Sequence, residues 1–224
     1  MHIEPPGHAP QSLKDFGVHY LMIVIGILTA VGIEQGIEAI HHNELASQAI
    51  LQIEEELKGN LHSTSSTLAE NKKRLVALRA TEEALTKDIS QKDVSAETFM
   101  TRVRSIAIGA ATPSLRRDAW DAAIASQALT YVEPATVRRY SAAYSAERDT
   151  TATILATLAI GNWPGQLQSA VVDAKLGKVD QVGLLKALAT YEMALAATAE
   201  NEWELEEALK TATKEPSSPG RDNR

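Results

Sequence analysis

A chain of 224 residues without cysteine excludes disulfides, thiolate nucleophiles and cysteine-built zinc or iron–sulfur sites, and a net charge of -7 with no strongly basic tract argues against nucleic acid as a partner. Aromatic residues make up only 4%, whereas Ala and Leu abound, a composition suited to helices packed through small and medium side chains. The fold class expected is all-α: a single N-terminal transmembrane helix continuing into an antiparallel helical bundle.

Residues 1–12, with three prolines and no apolar period, read as a flexible tail. The next stretch organises the rest. FGVHYLMIVIGILTAVGI, from Phe16 to Ile33, carries no formal charge over eighteen residues. As a helix it covers roughly 27 Å, enough for a hydrocarbon core of about 30 Å when Tyr20 and the flanks sit among headgroups. Residues 13–36 are therefore expected to cross the lipid bilayer. Lys14 and the amino terminus precede the span, and no Lys or Arg follows it until Lys58, so the amino end is expected in the cytoplasm and the bulk of the chain on the far side. A cleaved signal peptide is the rival reading, because Ala30-Val31-Gly32 places small residues two apart, but the positive region is poor and the apolar run is long for one. Gly32 and Gly36 form a G-x-x-x-G, and Gly26 with Ala30 a second small pair, which together permit close approach of another membrane helix.

No proline interrupts the chain from Phe16 to Ile89, so the span is expected to continue into the body as one rod. Residues 37–213 read as a helical bundle domain. A four-three seam runs through Leu57, Leu61, Thr64, Leu68, Asn71, Leu75, Leu78, Glu82, Leu85 and Ile89, with a stutter expected near Lys58-Gly59 because Ile50 and Ile53 lie out of phase. After a turn over 90–95, Ser95 is expected to cap a helix reaching Ile108, and Thr112-Pro113 to open another through Trp120, Ala123 and Ala128. Tyr131 to Pro134 interrupts. A long helix follows from Pro134 to about Asn162, then Pro164-Gly165 as a break, a short helix over 166–176 ended by Gly177, and a last helix over 180–212 with its seam at Leu184, Leu188, Tyr191, Leu195, Thr198, Glu202, Leu205 and Leu209. Residues 214–224 have no core positions and read as a disordered tail.

Glu34, Glu38, His41 and His42, with Glu44, form the one cluster that tempts a chemical reading. Glu38 and His41 have the i, i+3 spacing of helix-borne di-iron ligands, but no histidine follows His62 to complete such a site, and polar residues at the headgroup layer account for the cluster more simply. There is no G-x-S-x-G, and the carboxylates Glu54 to Glu56 and Glu206-Glu207 read as solvated helix faces, so no catalytic, cofactor-binding or metal residues are assigned. Arg116-Arg117 and Arg138-Arg139 form either an anion patch or surface pairs with Asp118, Asp121 and Glu133.

The segment Trp120-x-x-Ala123-x-x-Ser126-x-Ala128-Leu129-x-Tyr131-Val132-x-Pro134, continued by Tyr140 and Tyr144, resembles a pattern in uncharacterised bacterial single-pass membrane proteins. So does the junction Glu34-x-x-x-Glu38 followed by His41-His42 and Glu44-Leu45-Ala46. The resemblance implies a short amino tail, a membrane helix and a helical extramembrane domain, and carries no activity with it; the charge bias about the span adds the expected location, a bacterial inner membrane with the C-terminal domain in the periplasm. Trp120, Ser126, Tyr131, Pro134 and Tyr140 mark a corner that is either plain packing or a small pocket. The function expected is a non-catalytic interaction, scaffold or sensory module, in a homo-oligomer or with another membrane protein. The alternative is a membrane-bound metalloprotein or enzyme using the juxtamembrane Glu/His cluster.

Overall fold

The computed structural model describes residues 13–91, 96–159, 163–178 and 180–214. The expected tail at 1–12, residues 215–224 of the other tail, the Ser95 cap and residues 160–162, the expected end of the long helix from Pro134, lie outside the described residues, whereas Pro164-Gly165, expected as a break, falls in the first turn of a helix, where proline is tolerated. Among the described residues helix is the only extended regular structure, and no strand is present. Its six helices are α1 (Leu13–Gln91), α2 (Ala96–Arg104), α3 (Asp118–Ala125), α4 (Pro134–Ala159), α5 (Trp163–Lys175) and α6 (Gln181–Thr213), with a 3-10 turn over Ala128–Tyr131 between α3 and α4.

Helix α1 is a single rod of 79 residues, about 120 Å long. Every member of the seam from Leu57 to Ile89 is buried or half-buried, as the spacing predicts. Near Lys58-Gly59 the buried face widens rather than slips: Glu56 beside Leu57, Asn60 beside Leu61 and Thr67 beside Leu68 all turn inward, because α1 meets neighbours on two sides there. Helix α6 is the other hub, touching α1, α4 and α5. All eight of its predicted seam residues are buried. Asp180 caps it, accepting from the Gly183 N–H at 2.9 Å, so one orphan donor of the first turn is satisfied.

The polar pairs fix the directions. Ser65 donates to Glu206, Asn71 to Glu202 and Arg79 to Glu192, so α6 runs back along α1. Tyr140 pairs with Glu54, Tyr144 with Glu56 and Glu147 with Asn60, so α4 runs the same way as α1. A chain can repeat a direction only if something carries it back. Residues 106–117 do this, as a strap without regular structure laid along α1. Ala111 is held at Asn71 and Ala119 at Glu56, so 8 residues of chain cover 15 residues of helix. That is about 22 Å, or roughly 2.8 Å per residue, close to the rise of extended chain.

The strap corrects two sequence expectations. Helix α2 stops at Arg104 rather than near Ile108, and Thr112-Pro113 opens no helix, since α3 begins at Asp118. The cause lies outside the local sequence: side chains of α1 supply the partners that backbone groups of the strap would otherwise find in a helix. Two apolar cores result. One gathers Ile53, Leu57, Trp120, Tyr140, Tyr144, Leu205 and Leu209 near the apolar end of α1; the other gathers Leu78, Leu85, Val103, Leu167, Leu184, Leu188 and Leu195 at the far end. Between them, Asn60, Thr64, Asn71, Glu147, Thr198 and Glu202 are buried.

Candidate functional site

Among the described residues, two helices are long and apolar enough to cross a membrane, and they sit in opposite surroundings. The apolar window of α1, near the amino end, has a mean hydropathy of 2.1 with 0% of it buried, whereas that of α6 has 1.2 with 39% buried. From Phe16 to Ile40, thirteen large apolar side chains of α1 are exposed, Ile33, Ile37 and Ile40 at 60%, 64% and 71%. Burying one such side chain is worth about 1.5–3 kcal/mol, so a stretch with this many left uncovered is stable only against an apolar phase or another surface. A Cβ placed on Gly26, Gly32 or Gly36 would meet nothing within 4 Å, so packing within the chain does not require glycine at these positions. Ala30 is exposed on the same stretch.

The body begins where His42 meets the corner. Its ring stacks on Tyr131 with centroids 3.9 Å apart and planes 11° from parallel, joining two sets of residues that the sequence flags separately. Glu38 Oε1 lies 3.8 Å from His42 Nε2, one turn away. The His41 and His42 rings are 6.3 Å apart and tilted, and Glu34 is exposed. Among the described residues no three His, Asp or Glu side chains converge in a set able to hold a metal ion.

At the corner itself, Trp120 is buried and lies 5.1 Å from the Tyr144 ring at 32°. Tyr140 is fully buried, donates to Glu54 at 3.0 Å and lies 5.0 Å below the Arg139 guanidinium; burial pushes its hydroxyl pKa up. Ser126 ends α3, its hydroxyl donating to the Ala123 carbonyl at 3.3 Å, and Gln127, in the left-handed region at φ 60°, turns the chain into the 3-10 turn. Pro134 opens α4 while exposed. The Glu133 carboxylate accepts from the N–H groups of Ala135 and Thr136, both at 3.0 Å, and these bonds hold its pKa below the usual range. Arg116 and Arg117 pair with Asp118 and Asp121, and Arg139 donates to the Lys214 carbonyl.

What sequence reasoning missed is the pair of asparagine clamps. Asn60 Oδ1 accepts from the Arg116 N–H at 2.9 Å while its Nδ2 donates to the Arg116 carbonyl at 2.7 Å and to Glu147 Oε1 at 2.7 Å. Asn71 repeats this: Oδ1 accepts from the Ala111 N–H at 2.9 Å, and Nδ2 donates to the Ala111 carbonyl at 2.9 Å and to both Glu202 oxygens. Eleven residues separate the two asparagines, three helical turns, so both face the strap. Around them, Ser63 accepts from Ser114 N–H, Arg74 donates to the Gly109 carbonyl, and the Tyr191 hydroxyl accepts from Gly109 N–H at 3.2 Å. Gly109 has φ 126°, which only glycine adopts without strain. Glu56 receives Ala119 N–H and the Tyr144 hydroxyl, capping α3 from another helix. Burial pushes Glu147 and Glu202 up to about 7, against the Asn60 and Asn71 hydrogen bonds, which pull the other way. The one visible signal was polar residues interrupting a heptad seam.

No family model, curated protein or solved structure matches this chain.

Proposed function

We propose that this chain is a bitopic membrane protein whose helical bundle acts as a scaffold or sensory module without chemistry of its own. The observation that carries the reading is the uncharged run from Phe16 to Ile33, exposed on a helix that continues unbroken into the core of the body. Lipid covers what the chain leaves bare, and α1, α4 and α6 form the bundle beyond it. The amino end lies in the cytoplasm and the body in the periplasm of a bacterial inner membrane, a reading supported by Lys14 at the amino end of the span and no Lys or Arg after it until Lys58. Its resemblance to uncharacterised bacterial single-pass membrane proteins, carried by the junction at Glu34 to Ala46 and the corner at Trp120 to Tyr144, supports the same architecture. The mechanism is geometric. Because α1 is one rod, a partner that displaces the body also tilts or turns the membrane segment.

The test is alkaline extraction of membranes combined with reporters fused after Arg224. The chain is expected to stay in the pellet and to give an active alkaline phosphatase fusion and a dark cytoplasm-only fluorescent fusion. A chain that washes into the supernatant would refute the anchor, and the inverse reporter pattern would refute the export.

A further inference from the structure

The strap over residues 106–117 is held to the body chiefly by side chains of other elements. None of its residues is fully buried, and its backbone groups are met by Ser63 and Arg74 of α1 and Tyr191 of α6 rather than by a helical ladder. A segment with little buried apolar surface and no ladder opens at a lower free energy than the helices beside it. Its two firmest points are the asparagine clamps, and each clamp is shared. The Asn71 amide has two hydrogens for the Ala111 carbonyl and both oxygens of Glu202, and the Asn60 amide likewise serves the Arg116 carbonyl and Glu147. Glu202 is 0% exposed and Glu147 5%.

Among the described residues no cation is seated on either carboxylate. Around Glu202, α1 offers Asn71, with Arg74 one turn on already engaged by Glu70 and the Gly109 carbonyl. The strap has no titratable side chain over 106–115, α4 has none over 150–159, and on α6 itself Glu206 is paired with Lys210 at 3.2 Å. Around Glu147, α1 offers Asn60 and the like-charged Glu56, and α4 offers Tyr144, whose hydroxyl is already on Glu56. Arg117 at the end of the strap is paired with Asp121 at 3.0 Å, and Lys210 of α6 is taken by Glu206 and Glu207. Burial without a seated cation favours the protonated carboxyl, and both groups are accordingly raised to about 7. Once ionised, such a carboxylate has only an amide to satisfy it, and one hydrogen of that amide is spent on the strap. If the strap lifts, both hydrogens turn to the carboxylate and water reaches it.

We propose that the strap is a proton-controlled latch: it lies closed across Asn60 and Asn71 while Glu147 and Glu202 carry protons, and lifts off α1 as they ionise, with the helices staying assembled. In the open state the solvated carboxylates ionise near 4.5, so the closed state binds these protons more tightly. The latch is therefore firmest below about pH 4.5, loosens as pH rises, and loosens no further above about 7. It lies wholly within the body and stands whether or not α1 crosses a bilayer.

Amide hydrogen exchange of the full chain in detergent micelles, read by mass spectrometry and corrected for the intrinsic pH dependence of exchange, tests the latch. Between pH 5.5 and pH 7.5, protection over 106–117 is expected to fall by on the order of tenfold for each carboxylate. At pH 7.5 it should lie well below that of α6 around Leu188 and Leu205, and it should be unmoved by low urea that loosens α6, since local opening exposes little surface. Strap protection that matches α6 in level and in urea dependence would mean that the strap opens only with the whole body, and overturns the latch. A strap already unprotected at pH 5.5 overturns it too. Glu147→Gln with Glu202→Gln keeps an oxygen for each asparagine and is expected to hold the strap as closed at pH 7.5 as at pH 5.5; an undiminished pH response in that variant refutes the role of these two groups. Where the double variant does not fold, Glu202→Gln alone is expected to hold the Ala111 end while the Arg116 end still loosens, and loosening at both ends refutes the proposal.

Discussion

The apolar stretch of α1 and helix α6 pass the same test of length and hydropathy, yet one is bare on all sides and the other is embedded among three helices. The difference is periodicity. In α6 the apolar residues return every three or four positions and leave Glu192, Lys186 and Glu200 on other faces, whereas between Phe16 and Ile33 no face is polar. A helix apolar on one face finds its solvent inside its own chain. One apolar all round must find it elsewhere.

Placing charge on each helix breaks or sharpens that contrast, with the largest effect expected on α1. Arginine at a mid-membrane position costs about 2.5–3.5 kcal/mol on insertion scales, so Ile25→Arg with Leu28→Arg removes roughly 6 kcal/mol and should move the chain from the membrane pellet to the soluble fraction. Val182→Arg with Met193→Arg, at sites 60% and 74% exposed on α6, should leave partition unchanged. If the α6 variant also left the membrane, or the α1 variant stayed, exposure would not be what separates the two helices.

Inside the body the corresponding weak point is polar. Asn71→Ala removes the clamp on Ala111 and leaves buried Glu202 without its donor, at an expected cost of about 3 kcal/mol. Denaturant unfolding of the body measures it, and partition into membranes should not change. The same substitution at exposed Asn43 should cost next to nothing.

The helices were legible because their signals are local: the apolar stretch by its lack of charge, α6 by its seam, and the start of α4 by Pro134. The strap was not. Thr112-Pro113 has the local grammar of a helix start, but the side chains that override it, Asn60, Ser63 and Asn71, lie some 40 to 56 residues earlier in the chain. Asn71 and Thr64 are polar interruptions of a heptad seam, and their use appears only when another segment is laid beside them. His42 and Tyr131 were each visible as features, but their stack depends on the strap bringing the 3-10 turn back to the start of the body.

The buried carboxylates Glu147 and Glu202 give the body a pH dependence. Glu202 and Glu147 ionise near 4.5 when unfolded and are raised to about 7 by burial in the fold. Between these values the folded chain holds more protons than the unfolded one, so stability is greatest below about 4.5, falls as pH rises, and levels off above about 7. Glu202→Gln keeps an oxygen for Asn71 and is expected to stabilise the body by on the order of 2 kcal/mol at pH 8, with little effect at pH 4.5. Thermal unfolding across that range checks the sign; a variant with an unchanged slope would show that Glu202 does not cause it.

The smallest effect is expected where the two regions meet. Tyr131 is 44% exposed, and its clearest contact is the flat stack on His42. An aromatic pair adds about 0.5–1.5 kcal/mol beyond buried area, and partial exposure favours the low end, so Tyr131→Ala should lower the melting temperature of the body by roughly 2 °C. Lost packing of the turn would give a similar number, so the single variant does not isolate the stack. His42→Ala supplies the other arm of a cycle. If the stack ties the first turn of the body to the corner, the double variant should lose about 0.5 kcal/mol less than the two singles added together. Strict additivity would mean that the rings merely lie against each other, and that the join between the exposed stretch and the body is made by the continuous backbone of α1 alone.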